Sequence, residues 1–260
     1  MDACPTFDAN LAQRVEAHFL TAWPAMGEMD FDGWRVRISG GYSDRANSVT
    51  PLTPGRMPAA EKVKWAESFY GARHLPTLFR ITDLYADTAL DAWLHGRGYK
   101  MSWTMETAVR DLVSGAHPMQ ALAAHASVML EDAPTPAWID AALAVDDKIA
   151  PHLAPFTFIV NHIPAPRAFA RLLVRGNAVA VGAASAAGDL MGVFLMRTHA
   201  GHRRQGHGRA VLDTLLAWGH GQGARTAWLQ FDRDRAAPKA LYRGAGFKAL
   251  YNYHYRRLGG

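Results

Sequence analysis

The chain has 260 residues, of which 49% are hydrophobic and 20% charged, so it is long enough for one large domain or two smaller ones with a sizeable core. The formal net charge is +5, but no long Lys/Arg run or basic arm is present, which argues against nucleic acid as a partner. The single cysteine, Cys4, and the lack of a long apolar stretch predict a cytoplasmic protein with no membrane association.

The first part of the chain, residues 1–113, is predicted to alternate helices and strands. Asp8 is a plausible N-cap for a helix whose apolar stripe contains Leu11, Val15, Phe19 and Trp23. Alternating residues predict a strand over 34–38, with a hairpin partner within 45–52. A helix over 60–70, a strand over 77–81, a helix capped by Asp87 and a strand over 101–109 follow.

The pattern breaks around Ser114–Pro118, and we place a domain boundary between residues 113 and 114. The second part, residues 114–260, predicts strands over 127–131, 169–174, 178–184, 190–196, 226–231 and 247–258. Helices are predicted over 136–145 and 211–218, and a third is expected to be capped by Asp232 or Asp234. Helices and strands thus alternate here as well, and the family resemblance given below implies an α/β fold with a mixed sheet.

A basic glycine loop lies between the apolar strand that ends at Met196 and the helix that follows. Without Cβ atoms, Gly206 and Gly208 permit a tight turn and the close approach of a ligand. The first N–H groups of the helix have no carbonyl partners, and the helix dipole adds positive charge there, so this is a predicted phosphate or pyrophosphate site. Arg209-Ala210 after the glycine excludes a Walker A loop, and Val211 stands where a Rossmann fingerprint has its third glycine. A glycine-rich turn with solvated arginines is the alternative.

Two motifs carry a family resemblance. Arg203-x-x-Gly206-x-Gly208 resembles the pyrophosphate loop of the GNAT superfamily, the acyl-CoA N-acyltransferases. Downstream, Leu241-Tyr242-Arg-Gly-Ala-Gly246-Phe247 resembles the Leu-Tyr-x-x-x-Gly-Phe signature of the same family. One departure is Arg235, which stands where these proteins often carry Asn seven residues before the tyrosine.

The resemblance implies an N-acetyltransferase that uses acetyl-CoA as a co-substrate and requires no metal. The implied acceptor is a primary amine of a small molecule or peptide. Whether the protein forms a homodimer is left open. Tyr242 is the implied general acid. The implied cofactor-binding residues are the strand end and the loop: Val193, Phe194, Leu195, Met196, Arg203, Arg204, Gln205, Gly206, His207, Gly208 and Arg209.

Two questions are left open by the sequence. The general base is one of His199, Asp232, Glu131 and His254, or none of them. The alternative to an enzymatic function is a non-catalytic acyl-CoA-binding or sensor module with the same fold.

An internal repeat relates the two halves. The segment Leu90–Tyr99 resembles Pro238–Phe247, and Leu94 then falls where Tyr242 falls. The first half has no glycine pair before its corresponding helix, because Arg56–Glu61 stands there instead. We therefore interpret the halves as two tandem GNAT-like domains. The first is degenerate and walls the acceptor pocket, and the second binds one cofactor per chain.

Overall fold

The computed structural model describes residues 8–85, 88–113, 122 and 125–258. Cys4, Asp87 and the boundary segment Ser114–Pro118 lie outside these ranges. The division of the chain at residues 113 and 114 therefore stays a prediction.

Seven α-helices lie within the described residues. They are α1 (Ala9–Ala22), α2 (Ala59–Gly71), α3 (Thr88–Gly96), α4 (Pro136–Val145), α5 (Leu153–His162), α6 (His207–Gly221) and α7 (Ala236–Gly244). Asp8 caps α1 as predicted, because its carboxylate accepts the Leu11 N–H at 2.9 Å. The predicted cap of α7 is wrong. Its N-cap is Arg235, and Asp232 instead accepts the N–H of Asp234 at 3.1 Å, one turn too early to cap the helix.

Eleven strands accompany them in the described ranges. They are β1 (Gly27–Phe31), β2 (Trp34–Ile38), β3 (Val49–Pro51), β4 (Leu78–Thr82), β5 (Tyr99–Asp111), β6 (Ala126–Glu131), β7 (Arg167–Val174), β8 (Asn177–Ala187), β9 (Leu190–Thr198), β10 (Thr226–Asp232) and β11 (Lys248–Leu258). The hairpin partner predicted over 45–52 is shorter than expected, because Asp44–Ala46 forms a 3₁₀ turn and only β3 pairs with β2.

All these strands form one mixed sheet in the order β1-β2-β3-β4-β11-β5-β10-β9-β8-β7-β6, which confirms the predicted fold class. The repeat is visible in the topology. The pair β3–β4 is parallel and encloses α2, and the pair β9–β10 is parallel and encloses α6.

The two halves exchange strands at the centre of the sheet. Strand β11, at the end of the chain, lies between β4 and β5, while β5 pairs with β10. Helix α1 packs over this junction through a buried ion pair, in which Arg80 of β4 binds Glu16 and Tyr251 of β11 donates to the same carboxylate at 2.6 Å. The two halves are therefore joined by strand-to-strand hydrogen bonds and by a common part of the core.

No helix in the described residues is both long and apolar enough to cross a bilayer.

Candidate active site

The parallel strands β9 and β10 stop pairing before either one ends. Their register runs from Leu190↔Thr226 to Val193↔Leu229, while β9 continues to Thr198 and β10 to Asp232. On its other side, β9 has an irregular register with β8 next to Leu195, whose φ is +54°. Such a bulge bends a strand locally. The backbone of Val193 to Met196 thus borders an opening between two strands, where an extended ligand can add its own hydrogen bonds.

The glycine loop follows this opening directly. Residues 200–202 form a short 3₁₀ turn, and α6 begins at His207 with Gly206 as its N-cap at φ +82°. The first backbone bond of the helix is donated by Ala210 to the Gly206 carbonyl at 3.0 Å. In the described part of the chain, the N–H groups of residues 204–209 make no backbone hydrogen bond. They are available to an anion at the positive end of the helix dipole.

Gly208 brings the helix close to strand β9. A Cβ atom at this position would lie 3.2 Å from the Thr198 hydroxyl oxygen. Arg204 also adopts a left-handed conformation, with φ +64°. The loop is therefore a tight turn whose backbone a ligand can approach closely at Gly206 and Gly208.

The side chains of the loop are partly engaged within the fold. Arg203 donates from Nε to the Thr198 carbonyl at 3.2 Å, and His207 Nδ1 lies 3.1 Å from the His202 carbonyl. Arg209 binds both carboxylate oxygens of Asp213, at 2.8 and 2.9 Å. Among the loop arginines, Arg209 thus already has a counter-ion, and the part of its side chain in phosphate binding stays a prediction.

Tyr242 lies on α7 and is 7% exposed. Its ring packs 5.2 Å from the Phe231 ring, measured between centroids, and 6.1 Å from that of Phe247. Burial raises the pKa of Tyr242 to about 12, against the opposing effect of the charges on Arg197 and Arg45. The hydroxyl is therefore protonated at neutral pH and can donate a proton.

The four candidate bases do not converge on one place. His254 lies 2.8 Å from Asp91, which also binds Arg256, and Glu131 binds Thr135 and Arg171. The His199 ring accepts a hydrogen bond from the Gly201 N–H, and Asp232 forms the local turn described above. In the described ranges, no group of three or more His, Cys, Asp or Glu side chains is arranged to hold a metal ion.

The corresponding position in the first half is closed by the protein itself. The carboxylate of Asp32 accepts the N–H groups of Arg56 and Met57, at 2.9 and 2.8 Å, directly before α2. These bonds lower the pKa of Asp32. A carboxylate of the chain thus occupies the N–H groups that an anionic ligand would need at this position of the first half.

Residues of the first half that the sequence did not single out for the site also reach it. Arg45, in the 3₁₀ turn before β3, contacts β10 at the strand opening. Arg197 and Asp146, which form an ion pair at 2.7 Å, interact electrostatically with Tyr42 of the first half. No local signal distinguishes these residues, because their neighbours are distant in the sequence.

The open parallel strand pair, the glycine loop at a helix start and the strand-exchanged repeat together define a tandem GNAT-type N-acyltransferase. Residues 12–257 match the family described as "Probable histone acetyltransferase Rv0428c C-terminal", and the chain belongs to this family.

Related proteins agree with this membership. The chain is 25% identical over 246 residues to the "Uncharacterized N-acetyltransferase YobR" of Bacillus subtilis, which covers 94% of this chain and 97% of that protein. A GCN5-related N-acetyltransferase from Kribbella flavida has a similar fold, with a TM-score of 0.65, 18% identity and coverage of 99% and 98% of the two chains. A tandem GNAT protein from the clavulanic acid biosynthesis pathway superposes with a TM-score of 0.62 and 13% identity, covering 82% of this chain and 76% of its own.

Proposed function

We propose that the second half of this protein transfers an acetyl group from acetyl-CoA to a primary amine. The observation that carries the proposal is the order of two features along the chain. The strand opening at Val193–Met196 is followed directly by the loop whose N–H groups, in residues 204–209, make no backbone hydrogen bond within the described ranges.

Each of these two features suits one part of the acyl donor. The free strand edge of β9 can hydrogen-bond an amide-containing arm, and the N–H groups at the start of α6 can bind a pyrophosphate. Arg203 and Arg204 add positive charge to the same end. These two features together support an acyl-CoA as the ligand rather than a nucleotide alone. A nucleotide could bind the N–H groups through its phosphates, but it has no amide-containing arm to hydrogen-bond the strand edge.

The reaction needs a base-assisted nucleophile and an acid for the leaving group. The neutral amine nitrogen attacks the thioester carbon, the carbon–sulfur bond breaks, and the amine releases one proton to water. Tyr242 donates its proton to the departing sulfur and is reprotonated by water, so that the products are the N-acetylated amine and CoA thiol. Holding both substrates at one site makes the attack effectively intramolecular, and backbone N–H groups at the opening can stabilise the developing oxyanion.

The test is a thiol-release assay with acetyl-CoA and a panel of primary amines. We expect amine-dependent release of CoA and an N-acetylated product. Tight binding of CoA without turnover of any amine would support the sensor reading instead. Turnover without an amine dependence, or a preference for alcohols, would replace the acceptor class.

A further inference from the structure

Arg45 extends from the first half into the strand opening of the second. Its Nε atom lies 3.1 Å from Gln230 Oε1 and 3.2 Å from the Tyr253 hydroxyl, and its Nη2 atom lies 3.4 Å from the Gln230 carbonyl. Gln230 is the first residue of β10 beyond Leu229, where pairing with β9 ends. The guanidinium therefore lies beside the point where β9 and β10 separate.

The hydrogen-bond partners of this guanidinium are neutral. Other arginines nearby are paired with a carboxylate, among them Arg37 with Glu28, Arg80 with Glu16 and Arg197 with Asp146. Among the ion pairs of the described residues, none involves Arg45. A half-buried guanidinium that makes no direct ion pair has part of its charge uncompensated, which favours an anionic ligand at this position.

Further polar groups around Arg45 are buried without a partner. Within the described ranges, Gln230 Nε2, the Tyr255 hydroxyl and the Ser43 hydroxyl have no hydrogen-bond partner. Tyr255 is 2% exposed and interacts electrostatically with Arg45, while Ser43 precedes the 3₁₀ turn that carries Arg45. The Gln230 amide is oriented by its oxygen, which accepts from both Arg45 and Tyr253.

These groups share one chemical property, which is that each can donate a hydrogen bond. A carboxylate only accepts, and its two oxygens offer about four acceptor positions. The set therefore fits a carboxylate better than an amide or hydroxyl, each of which brings a donor of its own.

One negative charge lies beside this set. Asp44 directly precedes Arg45. Its pKa is raised by burial, with Arg257 and Arg45 acting in the opposite direction. Asp44 opposes a bare anion but complements a ligand that also carries an ammonium group. Arg45 and Asp44 thus offer one partner for each sign of charge.

We propose that Arg45, with Gln230, Tyr255 and Ser43, binds a carboxylate of the acceptor, so that the acceptor is an amine carrying a nearby carboxylate, such as a free amino acid. This inference rests on the proposed function and narrows its substrate class. The proposal gives the first half a direct role in acceptor specificity, because Arg45 would contact the acceptor rather than the acyl donor.

The test compares amino acids with the amines that lack only the carboxylate, such as phenylalanine with phenethylamine and lysine with cadaverine. In the thiol-release assay with acetyl-CoA, we expect the wild-type protein to favour the amino acid of at least one pair by about 10- to 100-fold in kcat/KM, as suits a charge-assisted hydrogen bond. In Arg45→Gln, KM for that amino acid should rise by the same factor, so that the ratio of kcat/KM between the two members of the pair falls toward one, while any change in kcat caused by losing the Arg45 charge near Tyr242 is shared by both. Arg45→Lys should restore part of the preference.

Loss of folding is separated from loss of recognition by measuring acetyl-CoA binding calorimetrically in each variant, which should match the wild type. Equal use of both members of every pair by the wild type would overturn the inference, as would equal losses for both in Arg45→Gln and Arg45→Lys. Turnover confined to lysine side chains within peptides would also overturn it. Failure of the proposed function looks different, because no amine of either kind would then be acetylated.

Discussion

Removing only the Tyr242 hydroxyl is the sharpest test of the chemical step. In Tyr242→Phe the ring keeps its packing against Phe231 and Phe247, so the fold should change little. Burial raises the pKa of the tyrosine to about 12. At pH 8 roughly one hydroxyl in 10,000 is then ionised, so nearly every molecule carries the proton that the leaving sulfur needs. General acid catalysis contributes about 10²- to 10⁴-fold, so kcat should fall by that factor.

The assay is thiol release at saturating acetyl-CoA and amine, with KM determined for both substrates. We expect KM for acetyl-CoA to stay within about threefold of the wild-type value, since the proposed role of the lost group is confined to the transition state. Tyr99→Phe is the matched control. Tyr99 is a buried tyrosine of the first half whose hydroxyl binds Glu67 at 2.9 Å, and its removal should leave kcat unchanged. A Tyr242→Phe variant with wild-type kcat would refute the general-acid role.

Three further predictions concern the loop and the core. Gly206→Asp places a side chain and a negative charge at a residue with φ +82°, and it should abolish CoA binding by calorimetry. Gly223→Asp, with φ +90° at the other end of α6, should not, and equal binding by both variants would contradict the phosphate site. Burial lowers the pKa of His18 from 6.5 to about 4. As the pH falls, this histidine is therefore protonated in the unfolded chain before it is protonated in the folded one. About 3 kcal/mol of the free energy of unfolding should be lost between pH 6.5 and pH 4. Urea titrations at several pH values should show this loss of unfolding free energy in the wild type and not in His18→Gln. The same dependence on pH in both proteins would argue against this effect of His18. Glu16→Gln leaves the charge of Arg80 buried without its partner and should cost about 3–5 kcal/mol in the same titrations, whereas a cost below about 1 kcal/mol would mean that the ion pair is dispensable.

Local sequence patterns predicted the elements and the superfamily well. The spacing of Arg203, Gly206 and Gly208, followed by the Tyr242 signature, predicted a GNAT protein, and the family match over residues 12–257 confirms it. Apolar periodicity located most helices and strands, because side-chain burial on one face repeats every two or 3.6 residues. The assignments of individual cofactor-binding residues and of Tyr242 stay predictions.

These local patterns could not predict which strands pair with each other in the sheet. Strands β5 and β11 each belong to a predicted half, yet they insert side by side into the centre of the shared sheet. Alternation shows which face of a strand is buried but does not identify its neighbour. Strand β1 was missed for another reason, since three of its five residues are exposed and no apolar alternation marks it.

The acceptor side of the site shows the same limit. Arg45 and Gln230 are separated by 185 positions in the sequence, and only the folded chain brings them together. Asp32, which closes the first half's loop, lies 24 positions before the N–H group of Arg56 that it binds. Contacts of this kind have no sequence signature, whereas a glycine loop does, because its backbone geometry restricts the residue types locally.

The central claim is acetyl transfer to an amine at the strand opening. Its most direct measurement is mass spectrometry of a mixture of primary amines and amino acids incubated with isotopically labelled acetyl-CoA and the protein. The account predicts at least one N-acetylated product that carries the label, formed by the wild type and absent with Gly206→Asp. If the wild type forms no labelled product while binding CoA, or if Gly206→Asp forms the same product at the same rate, the account is contradicted.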